Sequence, residues 1–159
     1  MDRKAFENVK GQIGYCGLWC GSCIVGNGTL RELTERYREL VKGHGVEEWG
    51  LKDQGMNGDG FINALIAIEN IAICPGCLKG GGNDTCTMRP CAREKNVPDC
   101  IECREKATCR NLSPLERVRT GGAKAGMLMK NETGQPDIGA WVAELKGKFP
   151  HSMIWVEKA

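Results

Sequence analysis

The sequence is poor in aromatic residues and histidine, and it has no long apolar run. It contains three Phe, two Tyr and two His among 159 residues, together with 22 glycines. Side chains can therefore build only a modest core, and we expect one domain, 1–159. The longest apolar stretch, 61–73, includes Asn63, Glu69 and Asn70 and is shorter than the roughly 20 residues that a membrane-spanning helix needs. We expect no membrane segment.

The residues of common catalytic sites are also scarce. No Ser-His-Asp set and no paired-carboxylate site can be named from the sequence. His44 lies between two glycines at a predicted helix end, where a solvated side chain near the helix dipole is the simpler interpretation, and His151 has no informative neighbours. The sequence leaves open whether the protein is an enzyme and indicates no reaction.

The N-terminal segment bears on the oxidation state of the ten cysteines. Residues 1–10 read MDRKAFENVK, which is charged and lacks the apolar centre of a signal peptide. We therefore expect a cytoplasmic protein whose thiols stay reduced, although an even number of cysteines is also common in secreted, disulfide-bonded domains. Reduced thiols are available to bind metal ions.

The spacing of the cysteines is typical of metal sites. Three open the chain as Cys16-x3-Cys20-x2-Cys23, and the other seven are Cys74, Cys77, Cys86, Cys91, Cys100, Cys103 and Cys109. A Cys-x2-Cys step lets two thiolates leave one tight turn towards one ion, so two such steps supply a closed tetrahedral set. Ten cysteines fill two four-thiolate sites and leave two over. The sequence therefore predicts two zinc ions, which would supply part of the folding free energy.

The preferred pairing follows the commonest zinc pattern. It joins Cys74 and Cys77 to Cys100 and Cys103 across 22 intervening residues. The second predicted site contains Cys20, Cys23, Cys91 and Cys109, with Cys16 and Cys86 as substitutes. This second site would tie the N-terminus to the cysteine-rich segment.

Basic residues lie among these cysteines although the formal net charge is only +2. They are Arg89, Arg93, Lys95, Arg104, Lys106 and Arg110. Eight thiolates around two divalent ions leave about four negative charges, which nearby cations would offset. This explanation is simpler than a nucleic-acid surface.

Periodicity and capping signals predict a small, mostly helical and loop-rich domain. A capping box at Thr29 and Glu32 begins a helix over about 30–42, and the apolar run 61–73 is predicted as a core helix. Further predicted elements are short turns at 91–95 after Pro90 and at 100–106 after Asp99, a helix from Ser113 to about Gly121, a helix after Asp137, and a short C-terminal strand over 152–156.

At the cysteines the chain resembles the family catalogued as domain of unknown function thirty-seven ninety-five. The matching segments are YCGLWCGSC at 15–23, CPGC at 74–77, GGGN at 80–83, CAREK at 91–95, and Cys100-x2-Cys103-x5-Cys109. The resemblance implies a cysteine-rich, zinc-binding part over 13–120, with 121–159 as a helical tail that packs on it. Many family members have an extra cysteine near position 83, where this chain has Asn83. The resemblance implies no reaction.

Three functional classes are compatible with these residues. The leading hypothesis is a structural zinc protein that serves as a scaffold or interaction module, with a protein as the partner that such a role implies. The alternative is an iron-sulfur protein for electron transfer in an anaerobic cell, because the same thiolate sets bind clusters. The third is a thiol-redox or radical enzyme, which the three-cysteine opening suggests. A barrel of about 200 residues or more is usual for radical enzymes, and the chain is shorter.

The three-cysteine opening also predicts whether its metal is exposed. Tyr15, Leu18 and Trp19 interleave the cysteines with bulky side chains. We expect these side chains to shield a metal that a fourth protein thiolate completes, so that no ligand position is left exchangeable.

Overall fold

Seven α-helices form the described part of the chain. The computed structural model describes residues 4–156, and the three residues at each end, including the start of the charged N-terminal segment, lie outside it. The helices are α1 (Lys4–Lys10), α2 (Thr29–Gly43), α3 (Val46–Asp53), α4 (Gly58–Glu69), α5 (Met88–Glu94), α6 (Leu112–Lys124) and α7 (Ile138–Lys148). Short 3-10 turns lie at Cys20–Ser22, Cys77–Lys79, Lys106–Thr108 and Met153–Trp155. The prediction of a mostly helical, loop-rich domain is confirmed.

The predicted C-terminal strand is wrong. Residues 152–156 form the 3-10 turn Met153–Trp155, and within 4–156 no strand occurs, only two isolated antiparallel bridges. The Ser152 hydroxyl accepts a hydrogen bond from the Ile154 amide, and Trp155 packs edge-to-face on Phe6 with ring centroids 5.1 Å apart. Ile154 and Trp155 therefore pack against the core and do not form a strand, because residues 4–156 contain no neighbouring strand to pair with.

Helix α2 forms where it was predicted, but its capping box does not. The N-cap is Gly28, which has φ 81°, and the buried Thr29 hydroxyl has no hydrogen-bond partner among residues 4–156. The Glu32 carboxylate instead accepts hydrogen bonds from the Ser152 hydroxyl at 2.5 Å and the Met153 amide at 2.8 Å. The tertiary contact has replaced the local one, so Glu32 joins α2 to the C-terminal turn.

Helix α4 is not the core helix that its apolar composition predicts. It begins at Gly58, where the Asn57 side chain accepts a hydrogen bond from Gly60, and Leu65 is its only buried residue. The helix packs against α2 and α3, with Tyr37 edge-to-face on Phe61 at 6.3 Å. Because only one face meets these helices, other apolar side chains, such as Ile66, remain exposed.

The main core is formed by α1, the loop that follows it and α7, which lies far from them in the sequence. Its buried members are Phe6, Val9, Trp19 and Leu145, with Trp141 among the partly buried side chains around them. Trp19 is completely buried, and its indole nitrogen donates to the Lys10 carbonyl at 2.6 Å. Trp19 directly precedes Cys20, so the core fixes the loop that carries the first cysteines.

The remaining helices lie close to their predicted positions. Pro90 falls in the first turn of α5, and α6 begins one residue before Ser113. The predicted helix after Asp137 is α7, and the Asp137 carboxylate caps it by accepting a hydrogen bond from the Ala140 amide at 3.0 Å. None of the helices described is both long and apolar enough to cross a lipid bilayer.

Candidate metal centres

Four cysteines line one small cavity. Cys91 comes from α5, Cys100 and Cys103 from the following turn, and Cys109 from the residues just before α6. The cavity they share measures about 20 Å³. Space for one water-sized body requires about 10–15 Å³ on this measure, so the cavity has room for a single ion. We call it the four-thiol cavity.

The thiols of this cavity influence one another electrostatically. The pKa of Cys100 is raised to about 12, chiefly by burial and then by charge repulsion from the neighbouring Cys109, Cys91 and Cys103 thiols. The protein alone therefore holds the Cys100 thiol in its neutral form. A bound cation would reverse this preference, because it favours the thiolate that ligates it.

Two lysines, Lys95 and Lys106, also line the four-thiol cavity. Lys95 forms an ion pair with Glu105, and Lys106 forms one with Glu132. Both carboxylates are exposed, so the pairs contribute little to stability on their own. Lys95 remains within electrostatic reach of the thiols, since Cys103 and Cys91 contribute to its raised pKa after its dominant hydrogen bond to Glu105.

A buried aspartate shapes the turn that carries Cys100 and Cys103. One Asp99 oxygen accepts hydrogen bonds from the amides of Ile101 at 2.8 Å and Glu102 at 3.1 Å. The other oxygen pairs with the Lys130 ammonium at 2.9 Å. The predicted capping role of Asp99 is confirmed, but the predicted run to Lys106 is a bent turn, with 3-10 structure only at Lys106–Thr108.

The same lysine connects this turn to the N-terminal cysteine loop. The Lys130 amide donates to the Gly17 carbonyl at 2.8 Å, and Arg119 donates to the carbonyls of Cys16 at 3.2 Å and Lys130 at 3.0 Å. The Cys100 amide donates to the Tyr15 carbonyl at 2.8 Å. Two cysteine-bearing loops far apart in the sequence are therefore held side by side. Sequence reasoning missed Lys130 and Arg119, because no local pattern marks them.

A second group of thiols lies between the N-terminal loop and the segment that follows α4. The Cys20 thiol accepts a hydrogen bond from the Cys77 backbone, and its pKa is raised to about 11, chiefly by burial and then by the charges of Cys77, Cys16 and Cys74. A Cβ placed on Gly14 would lie 3.3 Å from the Cys77 Cβ and 3.7 Å from the Cys16 Sγ. We call Cys16, Cys20, Cys74 and Cys77 the N-terminal thiol group.

The loop bearing Cys74 and Cys77 is anchored by Gln12, which the sequence analysis did not single out. The Gln12 side chain is buried and donates to the Pro75 carbonyl at 3.0 Å, while its oxygen accepts from the Leu78 amide at 3.3 Å. The Gly82 amide donates to the Cys74 sulfur at 3.2 Å. An amide donor of this kind stabilises a thiolate, so the loop suits a ligating sulfur.

Two cysteines fall outside these groups of four. Cys86 packs with Cys16 against the buried cluster of Met88, Cys100 and Leu115. Cys23 is not among the residues that line the four-thiol cavity, and its amide donates to the Cys20 carbonyl at 3.1 Å. The charge of Cys86 also contributes to the raised pKa of Cys16, after burial and Cys77, so Cys86 lies beside the N-terminal thiol group.

These neighbourhoods differ from the pairing chosen from sequence spacing. That pairing joined Cys100 and Cys103 to Cys74 and Cys77, whereas the four-thiol cavity places Cys100 and Cys103 beside Cys91 and Cys109. Neither neighbourhood is a formed site, since no group of three or more His, Cys, Asp or Glu side chains within residues 4–156 could hold a metal ion as it stands. The ligand sets therefore stay a prediction, and all ten cysteines are free thiols.

Comparison with known proteins places the chain in a family without giving it a reaction. The model of the family described as "Protein of unknown function (DUF3795)" matches residues 12–114, which include all ten cysteines. No curated protein and no solved structure matches the chain. The match confirms the resemblance seen in the cysteine motifs.

Proposed function

Because the chain belongs to the DUF3795 family of unknown function, we propose its function from its own side chains, as a cysteine-ligated zinc protein that acts as a scaffold or interaction module. The observation that supports this proposal most directly is the four-thiol cavity. Cys91, Cys100, Cys103 and Cys109 surround a space suited to one ion. Four thiolates around one ion are the usual set of a structural zinc site.

Zinc binding would require the side chains around the four-thiol cavity to move. The sulfurs do not converge as they stand, and zinc needs all four at about 2.3 Å. Rotation about the Cα–Cβ bonds can achieve this without unfolding the loops, because side-chain rotamers interconvert readily compared with the backbone. The four backbones are already in place around the cavity.

The N-terminal thiol group is the proposed second zinc site. Its four members come from two loops that Gln12 holds together, and Cys77 already donates its amide to the Cys20 sulfur. This assignment uses Cys16 where the pairing from sequence spacing used Cys23. Cys23 and Cys86 are then the two spare cysteines.

The volume of the four-thiol cavity favours a single ion over an iron-sulfur cluster. A cluster contains several iron and sulfide atoms, and a cavity of about 20 Å³ has room for one water-sized body.

A surface feature of α2 supports the interaction role. Leu33, Tyr37 and Leu40 recur at helical spacing and are each about half exposed or more, which is typical of a surface that contacts a partner.

Metal analysis of cysteine variants tests the proposal. Protein purified without oxygen should contain about two zinc ions per chain and no visible absorption. In the double variant Cys91→Ser with Cys103→Ser, the four-thiol cavity loses two ligands of one ion, so about one equivalent should be lost. The pairing from sequence spacing places these two cysteines in different sites and expects a loss of two equivalents.

The single variant Cys23→Ser is the matched control and should keep both ions. Iron with sulfide and a broad visible band would instead support the electron-transfer alternative. Protein without metal under these conditions would contradict both.

A further inference from the structure

An open groove of about 600 Å³ lies beside the N-terminal thiol group. Its volume falls within the range of about 300–1,000 Å³ that is typical of small-molecule sites. Its lining includes the thiols of Cys16, Cys77 and Cys86 and the apolar side chains of Met88, Pro114 and Val118. The groove is therefore far larger than the four-thiol cavity and of a different character.

The charge of the groove has one sign. Two arginines and no acidic residue occur among the described residues that line it. Arg117 is exposed, and its guanidinium has no hydrogen-bond or ion-pair partner within residues 4–156. Arg89 donates to the carbonyls of Gly80 and Gly81, so its guanidinium is already engaged by the protein. Arg117 is therefore the lining cation that can receive an anion from the groove.

We propose that the groove binds a small organic anion, with its carboxylate or phosphate group on Arg117 and its apolar part against Met88, Pro114 and Val118. A guanidinium presents two parallel donors that match either oxyanion. Thr87 also lines the groove and carries a hydroxyl group. This inference goes beyond the proposed function, and where Cys16 and Cys77 hold zinc, the anion would lie next to that centre.

A competing explanation is that the arginines only offset thiolate charge. The two explanations differ for Arg117. A charge-offsetting role requires no ligand. Its effect depends only weakly on the position of the arginine, because water and salt screen the interactions between exposed charges. A binding role requires a guanidinium or ammonium at that point of the groove.

The test is a titration of the full, metal-loaded chain with phenyl phosphate, monitored through the amide chemical shifts in NMR spectra. Benzoate serves as the second anion, benzyl alcohol as the uncharged probe and inorganic phosphate as the anion without an apolar part. We expect shifts at Gly82, Thr85 and Met88 with both organic anions and much weaker binding of the other two probes. Arg117→Gln should weaken phenyl phosphate binding by about tenfold or more, as loss of a charge-assisted hydrogen bond implies.

Arg104→Gln removes the same charge at an exposed arginine that does not line the groove, and it should leave the affinity unchanged. Arg117→Lys keeps a cation in place but loses the second parallel donor, so its affinity should lie between those of the wild type and Arg117→Gln. Equal weakening by Arg117→Gln and Arg104→Gln, or equal binding of benzyl alcohol, would overturn the proposal. Zinc content measured on the same samples keeps this outcome separate from failure of the metal assignment.

Discussion

Replacement of Lys130 with Met tests whether the ion pair behind the cysteine loops holds them in place. Lys130 is 7% exposed and its ammonium lies 2.9 Å from an oxygen of Asp99, which is 3% exposed. It also pairs with Glu102, whose side chain is 44% exposed. Methionine has a similar length and fills the space, so the main effect is an unpaired carboxylate left at Asp99.

The magnitude follows from what Asp99 retains. Removal of one partner from a buried ion pair costs about 3–5 kcal/mol. Asp99 keeps its two backbone donors from Ile101 and Glu102, and the half-exposed Glu102 pair contributes under about 1 kcal/mol. We therefore expect a loss of about 3 kcal/mol in the free energy of unfolding, near the lower end of that range. This corresponds to about 6–12 °C in Tm for a chain of this size.

The assay is thermal unfolding followed by circular dichroism at a fixed excess of zinc. Lys148→Met is the matched control, because Lys148 pairs with Glu144 on the exposed face of α7 and should matter by less than about 0.5 kcal/mol. Adding Asp99→Asn to Lys130→Met removes the stranded charge but keeps an acceptor for the turn, and should recover about 1–2 kcal/mol. A Lys130→Met protein as stable as the control would refute the reasoning.

Two further predictions concern the loops that carry the thiols. Gly76→Ala should lower the free energy of unfolding more than Gly80→Ala does, by about 1 kcal/mol or more. Both glycines have a positive φ, so the backbone strain is similar in the two variants. A Cβ at Gly76 would lie 2.7 Å from the Gln12 Cδ, whereas one at Gly80 would meet nothing within 4 Å. Urea unfolding of the two variants measures the difference, and equal losses would contradict the role of Gln12. Removal of zinc by a chelator should speed amide hydrogen exchange across 74–109 more than in α1 and α7, because the packing of these two helices depends on the apolar core. Exchange is measured by mass spectrometry. Equal acceleration in all three regions would show that the metal sites and the core unfold as one cooperative unit.

The elements that local signals control could be predicted from the sequence. The cap at Asp137 and the turn at Asp99 each depend on a side chain that bonds an amide two or three residues away. Thr29 and Glu32 carried a comparable signal, yet the box did not form, because Glu32 bonds residues 152 and 153 instead. A contact across 120 residues leaves no trace in the sequence pattern on either side.

The apolar run 61–73 shows a different limit. Its composition correctly predicted a helix, since α4 forms over most of it, but composition does not say how many faces of a helix meet other elements. The buried core instead contains Phe6, Trp19 and Leu145, which are separated in the sequence and do not form a continuous apolar stretch. Scattered aromatic residues can dominate a core when each buries a large area.

Spacing alone leaves the grouping of the cysteines open for a related reason. A Cys-x2-Cys step shows that two sulfurs leave one turn, and this local fact applies to Cys74 with Cys77 and to Cys100 with Cys103. Which turns face each other depends on the chain path between them. In this fold α5 carries Cys91 back to the Cys100 turn, while Gln12 draws the Cys74 loop to the N-terminus. If zinc analysis of the Cys91 and Cys103 double variant gives a loss of one equivalent, the cavity and not the spacing will have identified the ligand set.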